Sequence, residues 1–93
     1  AGQVTTDETL DTEGQTANVL HQIDSLLAQA GSRKSDIVSV QIFLTDISEI
    51  GAMNRAWDAW LDQGAKPARA TVEARLADPA WKVEMTLVAR LES

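Results

Sequence analysis

Val38-Ser39-Val40-Gln41-Ile42-Phe43-Leu44 carries Val38, Val40, Ile42 and Leu44 at alternate positions, with Ser39, Gln41 and Phe43 between them. Successive side chains leave a pleated strand on opposite sides, so this two-residue period predicts a β-strand with one buried face, ending near Thr45 and Asp46. Helical spacing flanks it on both sides. Upstream, from Thr16 to Ala30, Val19, Leu20, Ile23, Leu26, Leu27 and Ala30 recur every few residues, and Gly31 stands where a left-handed cap would end a helix. Downstream, Asp46 or Ser48 can cap a second helix with Ile50, Met53, Trp57, Trp60 and Leu61 on one stripe and Gly64 as its stop. That tryptophan stripe reads as a core face laid on a sheet rather than as a stacking platform for a ligand or base.

Further along, Pro67 bars helix and opens an extended run. Alternation turns Ala70, Val72 and Ala74 one way and Arg69, Thr71 and Glu73 the other. Asp78-Pro79 marks a turn, and a final strand from Trp81 to Leu91 sets Val83, Met85, Leu87, Ala89 and Leu91 against Lys82, Glu84, Thr86, Val88 and Arg90. The order is helix, strand, helix, strand, strand, with Ala1 to Val4 as the end of an earlier strand. It predicts an α+β fold of two layers, a mostly antiparallel sheet with two helices on one face. The other face, assigned Phe43, Arg69, Thr71, Glu84, Thr86 and Val88, is then expected to meet water or another subunit.

Composition narrows the function. Ninety-three residues, 44% of them hydrophobic, support one domain over residues 1–93. No apolar run is long enough to span a bilayer, and no signal segment is visible, so a soluble cytoplasmic protein without membrane partners is expected. The absence of cysteine excludes disulfides, thiolate metal sites and a cysteine nucleophile. A net charge of −6, with eight scattered Lys and Arg residues, argues against nucleic acid as a partner. The single histidine, His21, falls on the polar side of the first helix, and the five glycines stand apart rather than in a phosphate loop. Neither a metal nor an organic cofactor is expected.

What remains is Arg69 and Glu84, both assigned to the uncovered face. The plain reading is a cross-strand ion pair, of a kind that contributes roughly 1 kcal/mol at most when exposed. The chemical reading is that a guanidinium offers a planar fork matched to a carboxylate, while a nearby carboxylate can orient or deprotonate water. Together they suit a small acidic substrate.

Pro67-Ala68-Arg69-Ala70-Thr71-Val72, followed by Lys82-Val83-Glu84-Met85, resembles the RidA (YjgF) family of reactive intermediate deaminases. Gly2-Gln3-Val4, Gln15-Thr16, the run from Ser35 to Asp46, and Met53-Asn54-Arg55-Ala56-Trp57 agree with it, the last being most similar to the YoaB-like branch. The resemblance implies a chorismate-mutase-like subunit in a homotrimer, with helices outside and a ligand cleft at each subunit interface. It implies hydrolysis of 2-imino or enamine acids, such as 2-aminoacrylate, to 2-oxo acids and ammonia without a cofactor. By the same resemblance Arg69 would hold the substrate carboxylate and Glu84 would position water. Gly2 and Thr71 would line the cleft through backbone groups, and Asn54 would contact the ligand or brace the helix. Thr71 stands where many members have cysteine, and the strand pair with which the family begins, ahead of Ala1, is lacking from this sequence. A non-catalytic trimer that binds small carboxylates or partner proteins is the alternative, with ribonuclease activity ranked last.

Overall fold

The computed structural model describes residues 2–61 and 66–91. Strand β1 (Gln3–Val4) leads into helix α1 (Thr12–Gln29), followed by β2 (Ile37–Leu44), α2 (Ile50–Trp60), β3 (Ala68–Glu73) and β4 (Val83–Ala89). The four strands form one sheet in the order β1-β4-β2-β3. Both pairings of β4 are antiparallel, whereas β2 and β3, joined through α2, run parallel. The expected two-layer α+β architecture is present, with a mixed sheet. Gly64, the predicted stop of α2, lies outside the described residues.

Helix α1 begins four residues before the periodic segment. Asp11 accepts a hydrogen bond from the Gly14 amide at 2.8 Å, closing the first turn as an N-cap. At the other end Gly31 adopts φ 74°, and the Ser32 and Gly31 amides return to Leu27 and Ala28. This is the left-handed cap predicted there, at a backbone angle that favours glycine. Asp46 opens the short 3₁₀ turn, residues 47–49, that leads into α2 by accepting from Ser48. The Ser48 hydroxyl, aided by its amide, holds the Asp46 carboxyl below the usual range.

Both helices pack on one side of the sheet. Val19, Leu20, Ile23 and Leu27 of α1, with Met53 and Trp57 of α2, bury against Ile37, Val40, Ile42, Leu44, Val83 and Met85. Each fully buried aliphatic side chain stabilises the fold by about 1.5–3 kcal/mol. Val38 departs from the predicted alternation and is exposed, while Ile37 takes the core position. A register shift between Ile37 and Ser39 is the cause, since an extra residue in one strand reverses the facing of what precedes it.

Gln15, wholly buried on α1, has its polar groups engaged. Its amide nitrogen donates to the Leu10 and Ala80 carbonyls, and its oxygen accepts from the Lys82 amide. It therefore stitches the entry of α1 to the entry of β4. Gln22 donates to the Val4 carbonyl at 2.8 Å and ties β1 to the same helix. These two contacts fix β1, which follows Gly2, and β4, which carries Glu84.

Candidate functional site

Register decides which side chains share a face. Arg69 is opposite Val40 and Thr71 opposite Ile42 in the parallel pair, and both partners point into the core. Arg69, Thr71 and Glu73 therefore project to the helix side, and the expectation that Arg69 and Thr71 occupy the uncovered face is corrected. Alternation separates two faces of a strand but does not say which is buried; the parallel pairing does. The more apolar set, Ala68, Ala70 and Val72, looks outward from the sheet, with Val72 48% exposed. Because β3 is the outermost strand, Arg69 remains exposed at its tip although it stands on the helix side.

Helix α2 receives that side chain. The Arg69 Nη1 donates to Asn54 Oδ1 at 2.8 Å and lies 4.0 Å from Met53 Sδ, and the guanidinium carbon stands 5.4 Å from the centre of the Trp57 ring. Among the described residues no carboxylate forms an ion pair with Arg69. Two residues on, the Thr71 hydroxyl oxygen is buried without a hydrogen-bond partner among the described residues. Such an orphan costs roughly 1–3 kcal/mol, which makes it a place where a bound group or neighbouring protomer would be favoured. Glu73 accepts from the Ile47 amide and serves the entry to α2.

Glu84 occupies the opposite side of the sheet. It is the register partner of Phe43 on β2 and of Val4 on β1, so its side chain leaves the uncovered face as predicted. Its carboxylate lies directly over Gly2, where an added Cβ would overlap the carboxylate carbon and oxygen. Thr86 and Val88 follow on the same face beside a concavity of about 490 Å³ floored by Ser39, Gln41, Ala68 and Ala70. The site residues thus fall into two groups, Arg69 with Asn54 and Thr71, and Glu84 with Gly2. The thickness of the sheet and strand β2 separate them within one protomer. His21 is exposed on α1, and among the described residues no cluster of three metal-ligating side chains occurs.

The role of Trp57 was not read from the sequence, where it counted only as core. It is core, at 4% exposure, yet one face of the indole also meets the guanidinium. The spacing of Asn54 and Trp57, three apart on one helix face, was the available signal.

Replacing Gly2 by alanine should displace Glu84 rather than unfold the protein, because the clash is with the free end of a flexible side chain. The expected result is a displaced Glu84 carboxylate, read as a change in its side-chain carbon resonance. The thermal midpoint should be nearly unchanged, as calorimetry would register.

The chain matches the family described as Endoribonuclease L-PSP over residues 1–91. It is 50% identical over 84 residues to the RutC family protein YoaB of Escherichia coli, covering 88% of this chain and 74% of the relative. It is 55% identical over 75 residues to a RutC family protein of Haemophilus influenzae, covering 81% of this chain and 65% of the relative's length. Among solved structures, a member of the YjgF protein family from Neisseria meningitidis superposes with a TM-score of 0.94 at 44% identity, covering 100% of this chain and 77% of that one. A protein from Pseudomonas aeruginosa superposes with a TM-score of 0.95 at 40% identity, covering 99% of this chain and 80% of its own.

Proposed function

The chain belongs to the Endoribonuclease L-PSP (YjgF) family, and from that premise we propose that it hydrolyses 2-imino and enamine acids to 2-oxo acids and ammonia in clefts between protomers of a homotrimer. Arg69 of one protomer receives the substrate carboxylate in its guanidinium fork. Glu84 of the adjacent protomer orients a water toward the imine carbon and takes its proton as the carbon–oxygen bond forms. The proton held by Glu84 passes to nitrogen to give the carbinolamine, whose hydroxyl proton then also moves to nitrogen as the carbon–oxygen double bond forms, the carbon–nitrogen bond breaks and ammonia leaves. The chain's Gly2 and Thr71 supply backbone groups to the walls of the cleft, and no cofactor enters the scheme.

The observation that carries this reading is the segregation of the two charged groups. An exposed guanidinium, held by an amide and a ring but by no described carboxylate, stands on one side of the sheet. A carboxylate over a glycine stands on the other. Two such half-sites can meet only when the edge strand of one protomer approaches the uncovered face of the next. That face supports the approach, since it exposes Val72 and Val88, the latter at 60%.

The same segregation favours one alternative, a trimer in which Arg69 binds small carboxylates without turnover. Ribonuclease chemistry finds less support, given the net charge of −6 and a single exposed histidine. The deciding experiment generates 2-aminoacrylate with a pyridoxal-phosphate dehydratase and follows loss of the imine. Faster loss with added protein is the expected result. A rate unaltered by the protein, together with calorimetric binding of a 2-oxo acid, would leave the binding reading in its place.

A further inference from the structure

An arginine at the surface ordinarily samples many rotamers, and a ligand that captures it must first freeze them. Arg69 is arranged differently. Its Nη1 is tethered to Asn54 Oδ1 at 2.8 Å, and the guanidinium lies 5.4 Å from the Trp57 ring centre. The platform is itself immobile, because Trp57 is 4% exposed and packs in the core beside Trp60 at 5.5 Å between ring centres. Trp60 is held in turn by a 3.0 Å hydrogen bond from its ring nitrogen to Asp24 of α1. A chain of contacts therefore runs from the helix pair to the guanidinium.

We propose that Trp57 and Asn54 are positioning residues for Arg69, which present its guanidinium in a fixed orientation so that a substrate carboxylate is captured without a further ordering cost. The inference rests on the reading of Arg69 as the carboxylate clamp and assigns it a support that the clamp itself does not require. Asn54 and the Met53 sulfur engage the two N–H donors of Nη1, which leaves those of Nη2 and Nε for a bidentate contact. The indole face favours the cation electrostatically without consuming any donor. An acidic residue in place of Asn54 would tether equally well but would neutralise the charge the ligand needs. The amide therefore suits presentation better than a carboxylate would.

The test compares the native protein with Asn54→Ala, Trp57→Phe, Asn54→Asp and Arg69→Ala. Calorimetry reads affinity for 2-oxobutyrate, and nuclear magnetic relaxation of the side-chain Nε reads the order of Arg69. In the native protein Arg69 should be more ordered than the exposed Arg75 before any ligand is added. Asn54→Ala should lower that order and weaken binding by about threefold to tenfold, the fold-change of one hydrogen bond. Trp57→Phe, which keeps an aromatic face and the core, should weaken it by about twofold to fivefold. Asn54→Asp should keep the order high yet weaken binding the most of the three.

Native order in Asn54→Ala, or native affinity in both Asn54→Ala and Trp57→Phe while Arg69→Ala loses the ligand, would overturn the positioning role and leave the clamp standing. Native affinity in Arg69→Ala would instead remove the clamp on which the inference rests. Should Trp57→Phe fold poorly, the Asn54 pair decides alone, since Asn54 is only partly buried on α2.

Discussion

Arg69→Ala should reduce affinity for a small 2-oxo acid by at least about thirtyfold and abolish the proposed imine hydrolysis while leaving the fold in place. The side chain is exposed at the tip of an edge strand, so little core packing is lost. The contact with Trp57 that disappears is worth about 0.5–1 kcal/mol at an exposed site. The ligand loses far more, because removing the cation from a charge-paired contact costs about 2–5 kcal/mol, and every 1.4 kcal/mol is a factor of ten in affinity. Arg69→Lys should recover only part of the loss, since an ammonium keeps the charge but not the fork. Isothermal calorimetry on the three proteins, with thermal midpoints measured alongside, checks this. Binding by Arg69→Ala within twofold of native would remove Arg69 from the site.

A larger contrast is expected from mixed assemblies. On the proposed shared cleft, Arg69→Ala and Glu84→Gln should each be inactive alone, yet assemblies refolded from equal amounts of the two should regain about a quarter of native activity. An intact cleft then needs an Arg69-bearing chain followed by a Glu84-bearing chain, each present with even odds, which gives about one cleft in four under random assembly. The prediction follows from the opposite facing of the two side chains across the sheet. If one protomer supplied both groups, each chain would carry a defect in its own site and the mixture would stay inactive. A rate assay across a mixing series separates these cases, and the series should peak at equal proportions.

Most of the fold was legible because its periodicities are strong and carry their own punctuation. The α1 stripe ending at Gly31, the alternation of β4 and the uncovered placement of Glu84, Thr86, Phe43 and Val88 all follow from local spacing. Local spacing was blind to three things. It missed the first turn of α1, which rests on the Asp11 cap rather than on apolar residues. It missed the irregularity that turns Val38 outward and Ile37 inward, because a bulge is a pairing event between two strands. It also assigned Arg69 and Thr71 to the wrong face, since the apolar alanines and Val72 of β3 looked like core. In an edge strand the apolar set can be reserved for a neighbouring subunit, and a long arginine can reach past the rim of a helix. The residues of the site were identified from motifs, whereas their division into two half-sites depends on a register that no single segment encodes.

The strand order carries a consequence for how the chain is made. Strand β4, made after the other three strands of this sheet, is the interior strand that joins β1 to the β2–β3 pair. Until Val83–Ala89 emerge, β1 lacks its β4 partner, and the antiparallel edge of β2 stays open. The helices can form early from local contacts, but sheet closure waits for the C-terminal residues. A ribosome stalled before Val83 would hold a helical intermediate with an unsatisfied β edge, the kind of surface to which chaperones and proteases respond.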